Sequence, residues 1–269
     1  SLFMAINGVL EKNGYSLVCH IIEDGQTIDT DIIRDIAADN IGALIWSKSM
    51  EMNDMEKPDF LKNAMRNLSI PVITMEKYGF DCPGVDILFD YEKGGYMATR
   101  HLIECGHRRI GCVAGKQSFH VTMQRLNGYK KALEESGISY DPDLVYFGDY
   151  TMESGYEAFS YILGQKVTAI FSMNDEMAFG IYRAARLYGV SIPEDISIIG
   201  FDNVPFADVM QVPLTTIGVP VIEMGKKLGE KVVDLIDNKE KLKEREEILY
   251  TPRLLVRGST KSIPPVTVI

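Results

Sequence analysis

Short runs of apolar, β-type residues alternate along this chain with stretches whose apolar positions recur at helical spacing. Ser16–Ile22, Gly42–Ser47, Ile70–Met75, Val85–Phe89 and Ile110–Ala114 read as strands in the first half. Leu144–Phe147, Val167–Ser172, Ile196–Phe201, Leu214–Ile217 and Ile248–Val256 follow in the second. Most are continuous rather than alternating, the pattern of strands covered by helices on both faces. Between them, Tyr91–Cys105 sets Gly94, Met97, Ala98, Leu102 and Cys105 on one stripe and is followed by Gly106, a residue suited to close a helix. Asn174–Tyr188 does the same with Met177, Ala178, Ile181, Ala185 and Tyr188, ending at Gly189. A repeated strand-then-helix order predicts an α/β, doubly wound, parallel architecture. Both halves carry such a series, so two similar lobes flanking a cleft are expected.

Size and charge narrow the function. At 269 residues and 46% hydrophobic content, the chain can form one large domain or two lobes of roughly 100–150 residues. A net charge of −10 argues against nucleic-acid binding by this chain itself, because phosphate contacts need clustered Lys and Arg. The tight basic clusters are Arg108-Arg109 and Lys239–Arg245, and the second alternates with Glu as a solvated segment does. The four cysteines form no CxxC; Cys19 and Cys112 lie in apolar runs, where a thiol acts as a small hydrophobe, and a reducing, cytoplasmic setting is expected. No apolar run reaches membrane-spanning length and no leader is visible. The four histidines are scattered, and GxSxG, GxxxxGK[ST] and a helix-opening GxGxxG are missing. Cys105, His107 and Cys112 lie on different elements and make a poor zinc set. Neither catalysis nor a metal or cofactor is expected.

The most pointed chemistry lies in Ile192–Ile217. The run Ile196-Ser-Ile-Ile-Gly-Phe201 ends abruptly in Asp202-Asn203, with no Pro or Gly after Phe201 to stop it. In an open parallel sheet, ligands bind beyond the carboxyl ends of the strands. Asp202 therefore either caps the next turn or accepts hydrogen bonds from a polar ligand. Other blocks stand in order along the chain: Asp90-Tyr-Glu-Lys-Gly-Gly leading to Gly-His-Arg-Arg-Ile110, then Gln124-Arg-Leu-Asn-Gly-Tyr, Gly148-Asp-Tyr150 with Ser154-Gly-Tyr156, Ser172-Met-Asn-Asp-Glu-Met-Ala178, and Arg253-Leu-Leu-Val-Arg257.

These segments, covering nearly the whole chain, closely resemble the effector-binding core of the LacI/GalR family of bacterial transcriptional regulators. The resemblance implies a two-lobed, periplasmic-binding-protein-like fold with three crossings at a hinge, near Gly115-Lys116, Ile217–Val219 and Asp237–Glu247. It implies a first lobe of residues 1–115 and 219–238, a second of 116–218 and 248–258, and a tail over 259–269. It also implies a small sugar, sugar phosphate or nucleoside effector, a homodimer, and operator DNA bound through an N-terminal helix-turn-helix that this chain does not contain. The family's first strand, which should precede Ser1, is not seen either. A transporter's secreted sugar receptor would share the fold and is the alternative.

Several residues are candidates for the effector site. Arg125 is a planar fork and Asp202 a carboxylate, a pair suited to vicinal hydroxyls; Arg125 could equally be an ordinary helix residue. Asn174 is either a helix N-cap or a ligand contact. Tyr150 sits where the resemblance expects a stacking ring. Phe119 belongs to a loop expected to face the cleft, Trp46 ends a strand near the same edge or is buried, and Asp90 caps its helix or reaches ligand.

Overall fold

The computed structural model describes residues 2–20, 41–47, 63, 65–68, 70–77, 82–238 and 245–264. In chain order the elements are α1 (Leu2–Lys12), β1 (Leu44–Trp46), β2 (Val72–Thr74), β3 (Gly84–Phe89), α2 (Tyr91–Glu104) and β4 (Ile110–Ala114). There follow α3 (His120–Glu135), β5 (Val145–Phe147), α4 (Met152–Gly164), β6 (Ala169–Ser172), α5 (Asp175–Leu187) and β7 (Ser197–Asp202). The chain continues through the short α6 (Phe206–Val209), β8 (Thr215–Gly218), α7 (Val221–Asp237), β9 (Arg245–Tyr250) and β10 (Arg253–Leu255).

These residues form two compact units. The first takes the described residues up to Phe89 together with those of Pro220–Tyr250; the second takes Asp90–Val219 and the segment from Thr251 onward. In the first unit four parallel strands run in the order β1-β2-β3-β9. Ile6 and Leu10 of α1 and Met224, Leu228, Val232 and Leu235 of α7 share a core with Ile73, Val85 and Ile87. The spacing of the α7 residues is that of one helical face. The edge strand β9 is tied to β3 by a largely buried ion pair: Arg245 donates from Nε and Nη2 to Asp86 Oδ1 at 2.9 and 2.6 Å, and from Nη1 to the Cys82 carbonyl at 3.1 Å. A buried carboxylate needs this number of donors to offset its lost hydration.

The second unit holds a six-stranded sheet ordered β10-β8-β7-β6-β4-β5, parallel except for the β10–β8 pair. Strands β4, β6 and β8 are buried throughout, as the apolar runs of β4 and β6 predict, while β8 buries Thr215 and Thr216 beside Ile217. The chain leaves β4 for β5 on one side and reaches β6, β7 and β8 on the other, which makes the carboxyl edge beside β4 the topological switch point. Helices α2 and α3 pack backbone to backbone. A Cβ on Gly95 would lie 2.1 Å from the Arg125 carbonyl oxygen, and one on Gly128 would lie 2.0 Å from that of Glu92. His107, buried, bridges Thr168 Oγ1, Ser197 Oγ and the Lys261 carbonyl, and so serves packing of the turn. Ser259 accepts from the Thr215 amide at 2.7 Å and donates to the Ile198 carbonyl at 2.6 Å, stitching the C-terminal segment to the sheet.

Three expectations are corrected. Ser16–His20, the described part of the first expected strand, is not in a strand, and Val18 and Cys19 are exposed; Ile21 and Ile22 lie outside the described residues. The Leu17 amide donates to the Asn7 side chain of α1, at 3.3 Å, instead of entering a ladder. The run Ile248–Val256 is two strands, interrupted at Thr251-Pro252, where proline has no amide to donate. β9 pairs with β3 in one unit and β10 with β8 in the other. Finally, β4 pairs with β5 and β6, so residues 90–115 go with the second unit and not with the first lobe as expected. Among the described residues no helix is long and apolar enough to cross a membrane.

The α2–α3 contact gives a direct test. Gly128→Ala places a methyl against the Glu92 carbonyl and should lower the unfolding free energy by about 1–3 kcal/mol, read as a reduced midpoint in urea.

Candidate functional site

Four connections leave the carboxyl edge of the second sheet, and the expected ligand residues gather on them. Arg125, in the second turn of α3, is 6% exposed. Its guanidinium donates from Nη1 to the Met173 carbonyl beyond β6 and from Nη2 to Asp202 Oδ1, the latter at 3.3 Å. The guanidinium lies 3.8 Å from the centre of the Phe201 ring, 5.1 Å from that of Tyr91 and 5.9 Å from that of Tyr150. Nε is buried with no hydrogen-bond partner. Desolvated cation–π contacts are worth ~2 kcal/mol or more, comparable to the ~1–3 kcal/mol lost by one unpaired buried donor. The rings and the two hydrogen bonds therefore hold the charge in place.

Asp202 ends β7, and its side chain keeps 41% of its surface exposed. Burial of its surroundings raises its pKa, while the charge and hydrogen bond of Arg125 pull it down. Asp202 and Asn203 both have positive φ, 106° and 57°. This left-handed backbone is open to Asp and Asn more readily than to other non-glycine residues. It turns the chain sharply at the strand end without a glycine, which explains the abrupt stop in the sequence.

The aromatic wall is present. Tyr150, at φ 73°, stacks on Phe119 with ring centres 6.1 Å apart and planes 28° from parallel. Its hydroxyl bonds Thr122 Oγ1 at 2.6 Å. Asn174 is the N-cap of α5: Oδ1 accepts from the Met177 amide and Nδ2 donates to the Tyr150 carbonyl, each at 2.9 Å. It thus braces the loop that carries the ring. Asp90 caps α2 by accepting from the Lys93 amide at 2.9 Å. Trp46 closes β1 in the first unit and is 6% exposed there. The structure therefore brings together Arg125, Asp202, Tyr150, Phe119 and Asn174, while Asp90 serves its helix and Trp46 belongs to the other unit.

Sequence reasoning passed over Met173, Phe201, Tyr91, Thr122 and Asp175. Met173 acts through its carbonyl, which no residue type advertises. Asp175, directly after Asn174, is fully buried. Its Oδ1 accepts from Thr216 Oγ1 at 2.6 Å and its Oδ2 from the Val204 amide at 2.8 Å. A Cβ on Gly200 would lie 2.2 Å from that Oδ1. The glycine in the middle of the Ile198-Ile-Gly-Phe201 run was the one visible signal of a group pressed against it. Among the described residues, no cluster of three His, Cys, Asp or Glu could hold a metal ion.

A parallel sheet with an Arg–carboxylate pair and a ring stack at its carboxyl edge defines a ligand-binding core of the periplasmic-binding-protein type. Residues 99–260 match the family model described as a periplasmic binding protein-like domain. The HTH-type transcriptional repressor PurR of Photobacterium profundum is 33% identical over 264 residues, covering 96% of this chain and 77% of that one. A LacI family transcriptional regulator from Enterococcus faecium, solved with bound ribose, superposes with a TM-score of 0.80 at 27% identity, covering 98% of this chain and 94% of that chain. The transcriptional regulator CelR in complex with cellobiose gives 0.79 at 28% identity, covering 96% and 77%. The chain belongs to the LacI family of transcriptional regulators and forms its effector-binding core. The repressor relatives favour this reading over a transporter's receptor.

Asp175 gives the site a pH signature. Burial is the main cause that raises its pKa from 3.8 to about 7; Asp202 adds to the rise, while Thr216, the Val204 amide and Arg257 oppose it. Between those two values the folded chain holds a proton that the unfolded chain has released, so its stability falls as pH rises. Asp175→Asn cannot titrate. Wild type should therefore lose stability relative to this variant as pH climbs from about 4 to about 7, with a constant difference above, as read by chemical denaturation across pH.

Proposed function

We propose that the carboxyl edge of the second unit's sheet binds a neutral sugar, and that this binding controls the regulator's hold on operator DNA. The observation that carries the reading is the compensated Arg125–Asp202 pair beside the Phe119–Tyr150 stack. Sugar hydroxyls both donate and accept, and an exposed carboxylate edge offers them charge-assisted bonds, roughly twice as strong as neutral ones. The C–H faces of the same ring lie well on aromatic carbon. The charge of Arg125 is already balanced by Asp202, which supports an uncharged sugar over a sugar phosphate. Ribose and cellobiose in the two solved regulators support the same class.

The sugar must bind two states of the regulator unequally, since a ligand with equal affinity for both shifts nothing. A helix-turn-helix module, named in the PurR relatives, reads the operator. The protein works in the cytoplasm as a symmetric homodimer, the arrangement that matches two DNA half-sites, and leaves its sugar chemically unchanged.

Thermal unfolding against D-ribose, cellobiose and ribose 5-phosphate tests this. A neutral sugar at about 100 times its dissociation constant should add ~2.7 kcal/mol, and Arg125→Ala and Asp202→Ala should each remove the response. Stabilisation by the phosphate alone overturns the neutral class, and a response kept by both variants moves the site elsewhere. Chromatography should return the sugar intact.

A further inference from the structure

The turn that presents Asp202 is held from below by a residue outside the ligand constellation. Asp202 and Asn203 are consecutive non-glycine residues with positive φ, a conformation that persists only when its surroundings over-determine it. Two anchors are visible. Asn203 Oδ1 accepts from Arg257 Nη2 at 2.7 Å, and Arg257 is itself fixed by the Leu214 carbonyl at 2.7 Å and by Asp208 at 3.0 Å. The amide of Val204, the first residue after the turn, donates to Asp175 Oδ2 at 2.8 Å.

The second anchor is the more telling. Asp175 is fully buried, and a buried carboxylate is costly unless it is well satisfied by donors. Gly200, two residues before Asp202 on the same strand, leaves space for Oδ1 where any side chain would collide. Thr216 on the neighbouring strand β8 supplies the other donor at 2.6 Å. Three elements thus converge on one carboxylate whose exit bond goes to the backbone of the turn. The charged and titratable groups that face it are Asp202, Arg257 and Tyr182.

We propose that Asp175 is a positioning residue of the effector site: by accepting from the Val204 amide it holds the Asp202–Asn203 turn in the conformation that directs Asp202 toward Arg125. Its importance for effector rests on the sugar-binding reading above, whereas its hold on the turn does not. Asparagine at this position can reproduce both bonds. Its carbonyl oxygen accepts from Val204, and its NH2 donates to the Thr216 hydroxyl, which rotates to accept. Alanine can reproduce neither.

The test combines amide hydrogen exchange on the ligand-free chain with D-ribose titration, for wild type, Asp175→Ala and Asp175→Asn. The alanine variant should speed exchange at Asn203–Val204 at least tenfold while β4 and β6 keep their protection, and the asparagine variant should stay within threefold of wild type. D-Ribose affinity should follow the same order, at least tenfold weaker for alanine and within threefold for asparagine. Unchanged exchange at Val204 in the alanine variant overturns the proposal. So does an increase spread equally over β4 and β6, which would mark a merely structural core residue. If wild type does not bind D-ribose, the sugar reading loses its support, while the exchange result still decides the positioning role. Should the alanine variant not fold, the Val204 amide proton shift decides: it should titrate with pH in wild type and stay flat in Asp175→Asn, and a flat response in both overturns the proposal.

Discussion

A guanidinium removed from water is the constraint around which the second unit is arranged. Arg125 is almost wholly buried, yet among the described residues it meets only one carboxylate, and that one is half in solvent. The remainder of its stabilisation comes from the face of Phe201 and from a main-chain carbonyl. The groups come from three strand ends at the same sheet edge: Phe201 and Asp202 at the end of β7, Met173 beyond β6, Arg125 itself beyond β4. The parallel order of the strands is what brings these ends side by side. The glycines of α2 and α3 then let the two helix backbones approach until Arg125 is pressed onto the ring.

Much of this was legible in the residues. Continuous apolar runs correctly announced β4, β6 and β7, because strands covered on both faces must be apolar on both. The run Ser16–Ile22 misled because apolar composition alone does not say whether a partner strand lies alongside, and Leu17 instead bonds a helix side chain. Ile248–Val256 misled because Pro252, tolerated at the end of one strand and the beginning of the next, hid a change of sheet. The boundary between units was not legible at all. No composition shift accompanies Phe89-Asp90, and only the pairing partners of β4 reveal on which side it belongs.

The site divides in the same way. Arg125, Asp202, Tyr150 and Phe119 could be singled out because their side-chain chemistry suits a polyol, and they do converge. Asp90 and Asn174 were ambiguous because a cap and a ligand contact use the same short polar side chain; the hydrogen bonds assign both to helix ends. Met173 was beyond reach, since a carbonyl oxygen looks alike on every residue. Asp175 was nearly so, its burial being set by a glycine and a threonine far away in the chain.

Asn174 and Asp175 are neighbours in the same helical turn, yet one braces the loop of Tyr150 and the other the turn of Asp202. The ring wall and the carboxylate wall consequently share one support at the amino end of α5. A displacement of the amino end of α5 therefore acts on both walls at once, against the hold of Thr122 on the ring and of Arg257 on the turn. The two walls thus share a support as well as having their own, and a ligand that presses on α5 is felt by the ring and the carboxylate alike.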